Sequence, residues 1–368
     1  MKVPSLDLKR QYATVKADVD EAIRRVVDCQ GFIMGPEVEG IEKEMAAVCG
    51  AKHGVGVSSG SEALHIALMA AGIGRGDEVI TTSYTFFATA GAIHEVGART
   101  VFLDVEPRTF NVQYKDIETH ITKNTKAILP VHLYGQCAEM DEILRIAKRH
   151  NLLVIEDAAQ AIGAEYRGRR AGSLGDMGCF SFYPTKNLSC FGDGGMVTTN
   201  SDELAERLRV LRVHGAKPKY YHSVVGVNAR LDAIQAAVLR AKMKYLPGWN
   251  ERRRQIARFY DEGLKAADVV TPYVEPHCVH VYHQYVIRSR KRDELASFLK
   301  ERGVDTAVYY PVPLHLQKCF AALGYKEGDL PESERAARET LALPIFPEIT
   351  QAEMEYVVQC ICDFARKA

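Results

Sequence analysis

The chain has no CxxC pair, no long apolar run and no surplus of either charge. Nine cysteines are scattered through 368 residues, and an odd count without a disulfide framework suits reduced thiols in the cytoplasm. Only one residue separates Cys360 from Cys362, which is not a zinc-ligand spacing, so no metal is expected. No stretch is apolar for long enough to cross a bilayer, and the opening MKVPSLDLKRQY lacks a signal-peptide core; membrane insertion is therefore not expected. Lys plus Arg and Asp plus Glu both total 47, which leaves no basic footprint for nucleic acid or a lipid surface. No GxGxxG follows an early strand, so nothing indicates a nicotinamide-binding fold.

What is present has the pattern of a mostly parallel α/β sheet. Strand signals at 78–82, 100–105, 126–133, 152–155 and 196–199 alternate with helical patterns at 88–96, 141–150 and 202–213. Helical patterns at 18–28 and 38–49 precede them, and a long one at 233–245 follows. From about Trp249 helix and strand alternate at shorter intervals, as in a small α+β domain. The expected division is a large domain of residues 1–248 and a small one of 249–368.

Three stretches carry chemistry. The apolar run Leu152–Ile155 ends in Glu156-Asp157-Ala158-Ala159-Gln160, and a carboxylate at the end of a buried strand needs a partner. A backbone-bonded structural Asp and an Asp facing a protonated ring nitrogen both fit. Val55-Gly56-Val57 followed by Ser58-Ser59-Gly60-Ser61-Glu62 is a strand, a small-residue turn and a helix start. That is either a plain βα turn or a phosphate cradle of free N–H groups. Lys186 follows the aromatic run Phe180, Phe182, Tyr183 and precedes Gly192, Gly194 and Gly195. Most lysines are solvated, but one desolvated against aromatic rings becomes the neutral amine that attacks carbonyls, above all the aldehyde of pyridoxal phosphate.

SSGSEAL, EDAAQAIGA, FSFYPTKNL with GDGG, and GVNARLDAIQAA occur in that order. The set resembles the DegT/DnrJ/EryC/StrS family of sugar-nucleotide aminotransferases, and the similarity runs from VPSLDLKRQY to LALPIFP. The resemblance implies a pyridoxal 5′-phosphate enzyme of fold type I, like aspartate aminotransferase: a large domain with a mostly parallel sheet and a small C-terminal α+β domain. It makes Lys186 the Schiff-base lysine and Asp157 the partner of the pyridine nitrogen. Gln160 would sit beside the ring near its phenolic oxygen, and Phe86 would stack on the ring face. Gly60, Ser61, Glu62 and Ser181 would hold the phosphate, with Asn228 reaching it from the partner subunit of a homodimer.

The implied reaction is ping-pong, with L-glutamate as donor and a nucleoside-diphosphate keto-sugar as acceptor. FYPTKNL, VYYPVPLHLQ and GDLPESE resemble members that aminate C3. Tyr183, His214, Arg230, Tyr309, Tyr310 and His315 are the candidates for the sugar and pyrophosphate site. Competing readings are a C4 keto-sugar or keto-cyclitol aminotransferase, and a regulator of the same fold that binds the cofactor without turnover. Ser189-Cys190 departs from the glycine or alanine common in relatives, so a less permissive turn is expected after the lysine.

Overall fold

The computed structural model describes residues 1–367. Helix α1 (Leu8–Cys29) begins where the Asp7 carboxylate accepts from the backbone N–H groups of Lys9 and Arg10. That start is ten residues ahead of the helical pattern read from 18. The helix buries Val15, Val19, Ala22 and Val26, a stripe of alternating four- and three-residue steps. Helix α2 (Pro36–Cys49) follows.

A seven-stranded sheet forms the body, with β1 (His53–Val57), β2 (Glu78–Thr82), β3 (Arg99–Leu103), β4 (Thr125–Leu129), β5 (Leu153–Asp157), β8 (Met177–Ser181) and β9 (Gly195–Thr199). The short pair β6 (Glu165–Tyr166) and β7 (Arg169–Arg170) lies beside it with β10 (Cys278–Val279). The order across the sheet is β1-β9-β8-β5-β4-β2-β3. Every neighbouring pair from β8 to β3 is parallel, and β9 runs antiparallel to both its neighbours.

Both faces of the sheet are covered, and the strands show why. Ile80, Ile128, Val154, Phe180 and Met196 point to one face, against α2, α5 (Met140–His150) and α7 (Ala233–Met243). Val79, Leu129, Ile155, Cys179 and Val197 alternate to the other, against α3 (Gly60–Ala70), α4 (Ala88–Glu95) and α6 (Asp202–Leu211). Two-residue periodicity thus serves two apolar layers, so the strands read as continuous hydrophobic runs. Each of these large side chains is worth about 1.5–3 kcal/mol of burial.

The rest of the chain has its own apolar core. Helices α8 (Leu246–Gly263), α9 (Arg292–Glu301), α10 (Pro331–Glu339) and α11 (Gln351–Lys367) accompany the antiparallel pair β11 (Tyr285–Arg288) and β12 (Thr340–Leu343). Ile256, Tyr260, Tyr285, Leu299, Leu341, Phe346 and Ile361 pack together there, and Val3 packs with them. The chain's first residues, which the sequence reading counts with the large domain, thus pack on this core, Val3 pairing with Val304. The division expected at 248/249 falls in the first turn of α8.

Candidate active site

The parallel strands deliver their carboxyl ends to one edge of the sheet, and the chemistry-bearing residues collect there. Register brings the ends of β1 and β8 together, because Val57 and Ser181 both pair with Gly195 between them. A Cβ on Gly195 would come within 2.2 Å of the Ser59 carbonyl oxygen, and one on Gly60 within 2.5 Å of the Ser181 Cβ. Ser59 caps α3 by accepting from the Glu62 N–H at 3.1 Å. A glycine-lined helix N-terminus thus faces the Ser181 hydroxyl, a suitable cradle for a dianionic phosphate.

Asp157 ends β5, the central strand, and is only 5 % exposed. Its carboxylate accepts from the Thr89 hydroxyl at 2.8 Å and the Ala159 N–H at 3.2 Å. Burial raises its pKa, while those two bonds and the charge of nearby Lys186 oppose the rise. A cationic ring nitrogen placed against it would offset that desolvation. Its neighbour Glu156 plays a different part. That fully buried carboxylate accepts from the Gly172, Leu174 and Gly175 N–H groups. It also meets His132 Nε2 at 2.8 Å. Because the Ala138 N–H donates to His132 Nδ1, the histidine proton sits on Nε2 and points at Glu156. Glu156 is therefore a structural carboxylate.

Lys186 lies in the turn after β8, its backbone N–H bonded to the Tyr183 carbonyl at 2.8 Å. Burial pulls its amine down to about 8, with Asp157 acting the other way. Gln160 is oriented at both ends: its Oε1 accepts from the Tyr134 N–H at 2.7 Å, and its Nε2 donates to the Tyr310 hydroxyl at 3.0 Å. Phe86 is 56 % exposed, with its ring 6.1 Å from that of Tyr310. The buried hydroxyls of Tyr84 and Tyr134 both donate to the Tyr309 carbonyl, and Tyr84 accepts from the Tyr310 N–H at 3.1 Å. Tyr309 and Tyr310 are thereby fixed at the same edge.

The chain matches the model of the DegT/DnrJ/EryC1/StrS aminotransferase family over residues 13–362. It belongs to that family. A "Pleiotropic regulatory protein" of Geobacillus stearothermophilus is 55 % identical over 100 % of this chain and 99 % of its own length. The dTDP-3-amino-3,4,6-trideoxy-alpha-D-glucose transaminase of Streptomyces venezuelae is 46 % identical over 100 % and 97 %. The crystal structure of S. venezuelae DesV in complex with ketimine intermediate superposes with a TM-score of 0.98, at 46 % identity over 100 % of this chain and 99 % of that one. NtdA of Bacillus subtilis with bound cofactor PMP gives 0.93 at 32 % identity, over 99 % and 85 %. Like its relatives, this DegT/DnrJ/EryC1/StrS chain is a pyridoxal-phosphate-dependent aminotransferase.

Within one chain of this family member, not all the expected residues meet. Lys186, Asp157, Gln160, Gly60, Ser181, Phe86 and Tyr310 share the sheet edge, and exposed Tyr183 donates its backbone N–H to Ser181 Oγ. His214 and Asn228 instead flank a protruding hairpin, where Val213 pairs with Asn228 and the tip exposes Tyr220, Tyr221 and Val225. Among the described residues, no hydrogen bond or ring contact joins His214, Asn228 or half-buried Arg230 to the Lys186 group.

His315 is placed at the end of β2. It is buried, with Nδ1 at 2.6 Å from Ser83 Oγ and Nε2 at 3.2 Å from Glu334. Both ring nitrogens are occupied, so it fastens residues 314–316 to the end of β2 and has no free nitrogen for a sugar. Thr89 was missed, although a hydroxyl one helical turn from Thr85 at the start of α4 is a readable signal.

Proposed function

We propose that this enzyme transfers an amino group from L-glutamate to C3 of a nucleoside-diphosphate-linked 3-keto-hexose, working as a cytoplasmic homodimer. The observation that carries the chemistry is the pairing, at one sheet edge, of a lysine amine lowered to about 8 with a buried carboxylate. The C3 regiochemistry rests on the S. venezuelae relative named as a 3-amino-sugar transaminase.

Bound pyridoxal phosphate supplies an aldehyde for amine exchange and a ring that takes up the electrons of a Cα–H bond. The N-terminus of α3, with Gly60, Ser61 and Glu62, would hold the phosphate beside the Ser181 hydroxyl. Asp157 would keep a proton on the ring nitrogen, and the Thr89 hydroxyl orients its carboxylate. Gln160, whose Nε2 donates to the Tyr310 hydroxyl, would sit beside the ring's phenolic oxygen, and Phe86 would stack on the ring. Lys186 Nζ accepts the proton from the donor's Cα and returns it on the other side of the exchange. An amine lowered to about 8 is partly unprotonated near neutrality and can do both.

The dimer is supported by apolar groups left in solvent: Ile33, Tyr220, Tyr221, Val224 and Val225 are all exposed. Asn228 at the base of the hairpin is exposed as well. A second copy would cover this surface and bring Asn228 to the partner's phosphate. Tyr183, His214, Arg230, Tyr309 and Tyr310 remain the candidates for the sugar nucleotide.

The name of the G. stearothermophilus relative favours a second reading, a regulator without turnover. The complete set of Lys186, Asp157 and Gln160 argues against it, since a sensor has no need of proton-transfer groups. The test is an amination screen of 3-keto and 4-keto sugar nucleotides with glutamate as donor. Product from the 3-keto compound alone is the expected result, and failure to form 2-oxoglutarate from glutamate would leave the regulator.

A further inference from the structure

Behind Lys186 lies a buried polar cluster that the reaction described above does not use. Asn187, the next residue along the chain, is 4 % exposed. Its Nδ2 donates to Asn250 Oδ1 at 2.8 Å and to the Val281 carbonyl at 3.1 Å. Asn250 in turn donates to the Ile162 carbonyl at 3.0 Å. With both Nδ2 protons committed, the amide cannot flip, and its Oδ1 faces His283 Nδ1 at 3.3 Å. An oxygen accepts, so the proton of His283 must sit on Nδ1. His283 is itself buried, and its carbonyl accepts from Arg253 Nη1 at 3.3 Å, as those of Tyr282 and Ile345 do at 3.0 Å.

We infer that His283 is a positioning residue for Lys186, acting through Asn187 to tie the lysine turn to the C-terminal core. The inference rests on the proposed role of Lys186. Three groups from outside the sheet hold the side chain of Asn187, the residue after the lysine, so the backbone at 186 has a fixed place. The histidine works neutral. Burial holds its pKa well below the usual range, and the charges of Lys186 and Arg253 both oppose a second proton. A ring that cannot charge beside a charged lysine is no acid for the reaction; its contribution is the Nδ1–H directed at Asn187.

The test compares His283→Leu, which removes the donor, with His283→Asn, whose amide can replace Nδ1–H. Two quantities are read. One is the pH dependence of Lys186 carbamylation by cyanate in cofactor-free protein, followed by peptide mass spectrometry. The other is kcat and KM for glutamate in the loaded enzyme. In wild type and His283→Asn the labelling midpoint should lie near 8. In His283→Leu it should climb by a unit or more toward the ordinary 10.5 as the turn loosens and the amine gains water. There kcat should fall about tenfold, as for one lost buried hydrogen bond, with KM unchanged.

Equal loss of kcat in both variants, with the midpoint still near 8 in each, would make His283 an acid or base and overturn the inference. So would a wild-type midpoint and kcat in His283→Leu, or a His283→Asn as impaired as the leucine variant. If glutamate is not converted even by wild type, the proposed function fails, while the labelling of cofactor-free protein still decides the tether.

Discussion

Two lysines, one in the turn after β8 and one on α7, show what makes an amine reactive in this protein. Lys186 and Lys242 are both desolvated, and burial brings each amine down to about 8. Their surroundings differ. Lys242, on α7 and 2 % exposed, donates to the Ser189 carbonyl at 2.8 Å and the Ser189 hydroxyl at 2.9 Å, and lies 4.9 Å from the centre of the Phe191 ring. Among the described residues, nothing hydrogen-bonds the amine of Lys186. Lowered basicity is thus a by-product of burial that both residues share. Reactivity needs in addition an amine left uncommitted and open to the sheet edge. Lys242 uses its protons to hold the turn three residues beyond Lys186, at the Ser189-Cys190 step.

The widest separation between the two should come from replacement. Lys186→Arg should reduce transamination by roughly 10³-fold or more, since the loss of general acid–base transfer alone is worth about 10²–10⁴. Lys242→Met should keep most of its kcat per folded molecule. A comparable collapse of kcat in both variants, measured with glutamate and a keto-sugar nucleotide, would erase the distinction.

Next in size is stability. Lys242→Met leaves the Ser189 carbonyl and hydroxyl without their donor, a loss of about 1–3 kcal/mol for buried unsatisfied groups. The effect has a definite pH window. The folded-state pKa of Lys242 is lowered from 10.5 to about 8. The folded chain therefore releases this proton before the unfolded chain does, and between those values the unfolded state binds more protons. Stability contributed by this residue rises with pH there. Urea unfolding should accordingly show the gap between wild type and Lys242→Met widening from pH 8 to pH 10; a narrowing gap would mean that Lys242 is not desolvated in solution.

The Lys186 half of this contrast is readable in the sequence alone. An apolar strand ending in a carboxylate, a lysine after an aromatic run and a small-residue turn before a helix are local patterns, and Asp157, Lys186 and Gly60 are where those patterns place them. Strand limits shift by a few residues: the run read as 126–133 stops at Leu129, because Pro130 follows and has no N–H for the ladder. What stayed hidden is long-range pairing. His315 reads as a ligand in the sequence, and only the approach of Ser83, 232 residues away, turns it into a fastener. His283 meets Asn187 across 96 residues, and no spacing rule encodes that. Asn228 was legible only through resemblance, since its expected target lies on another copy of the chain.

The smallest expected effect is also the sharpest, because it should move one lysine and leave the other alone. Asp157 is the charge that raises the Lys186 amine against its desolvation, whereas the charges acting on Lys242 are those of Cys190 and Glu348. Thr89 stabilises the ionised form of Asp157 with a 2.8 Å hydrogen bond. In Thr89→Val that bond is gone, the carboxylate takes up its proton more readily, and the positive form of Lys186 loses support. Passed on through space, the change should move the Lys186 midpoint downward, with that of Lys242 unmoved. Labelling both lysines in one sample of cofactor-free protein makes each the control for the other. A downward shift in both, or in neither, would show that Asp157 does not set the difference between them.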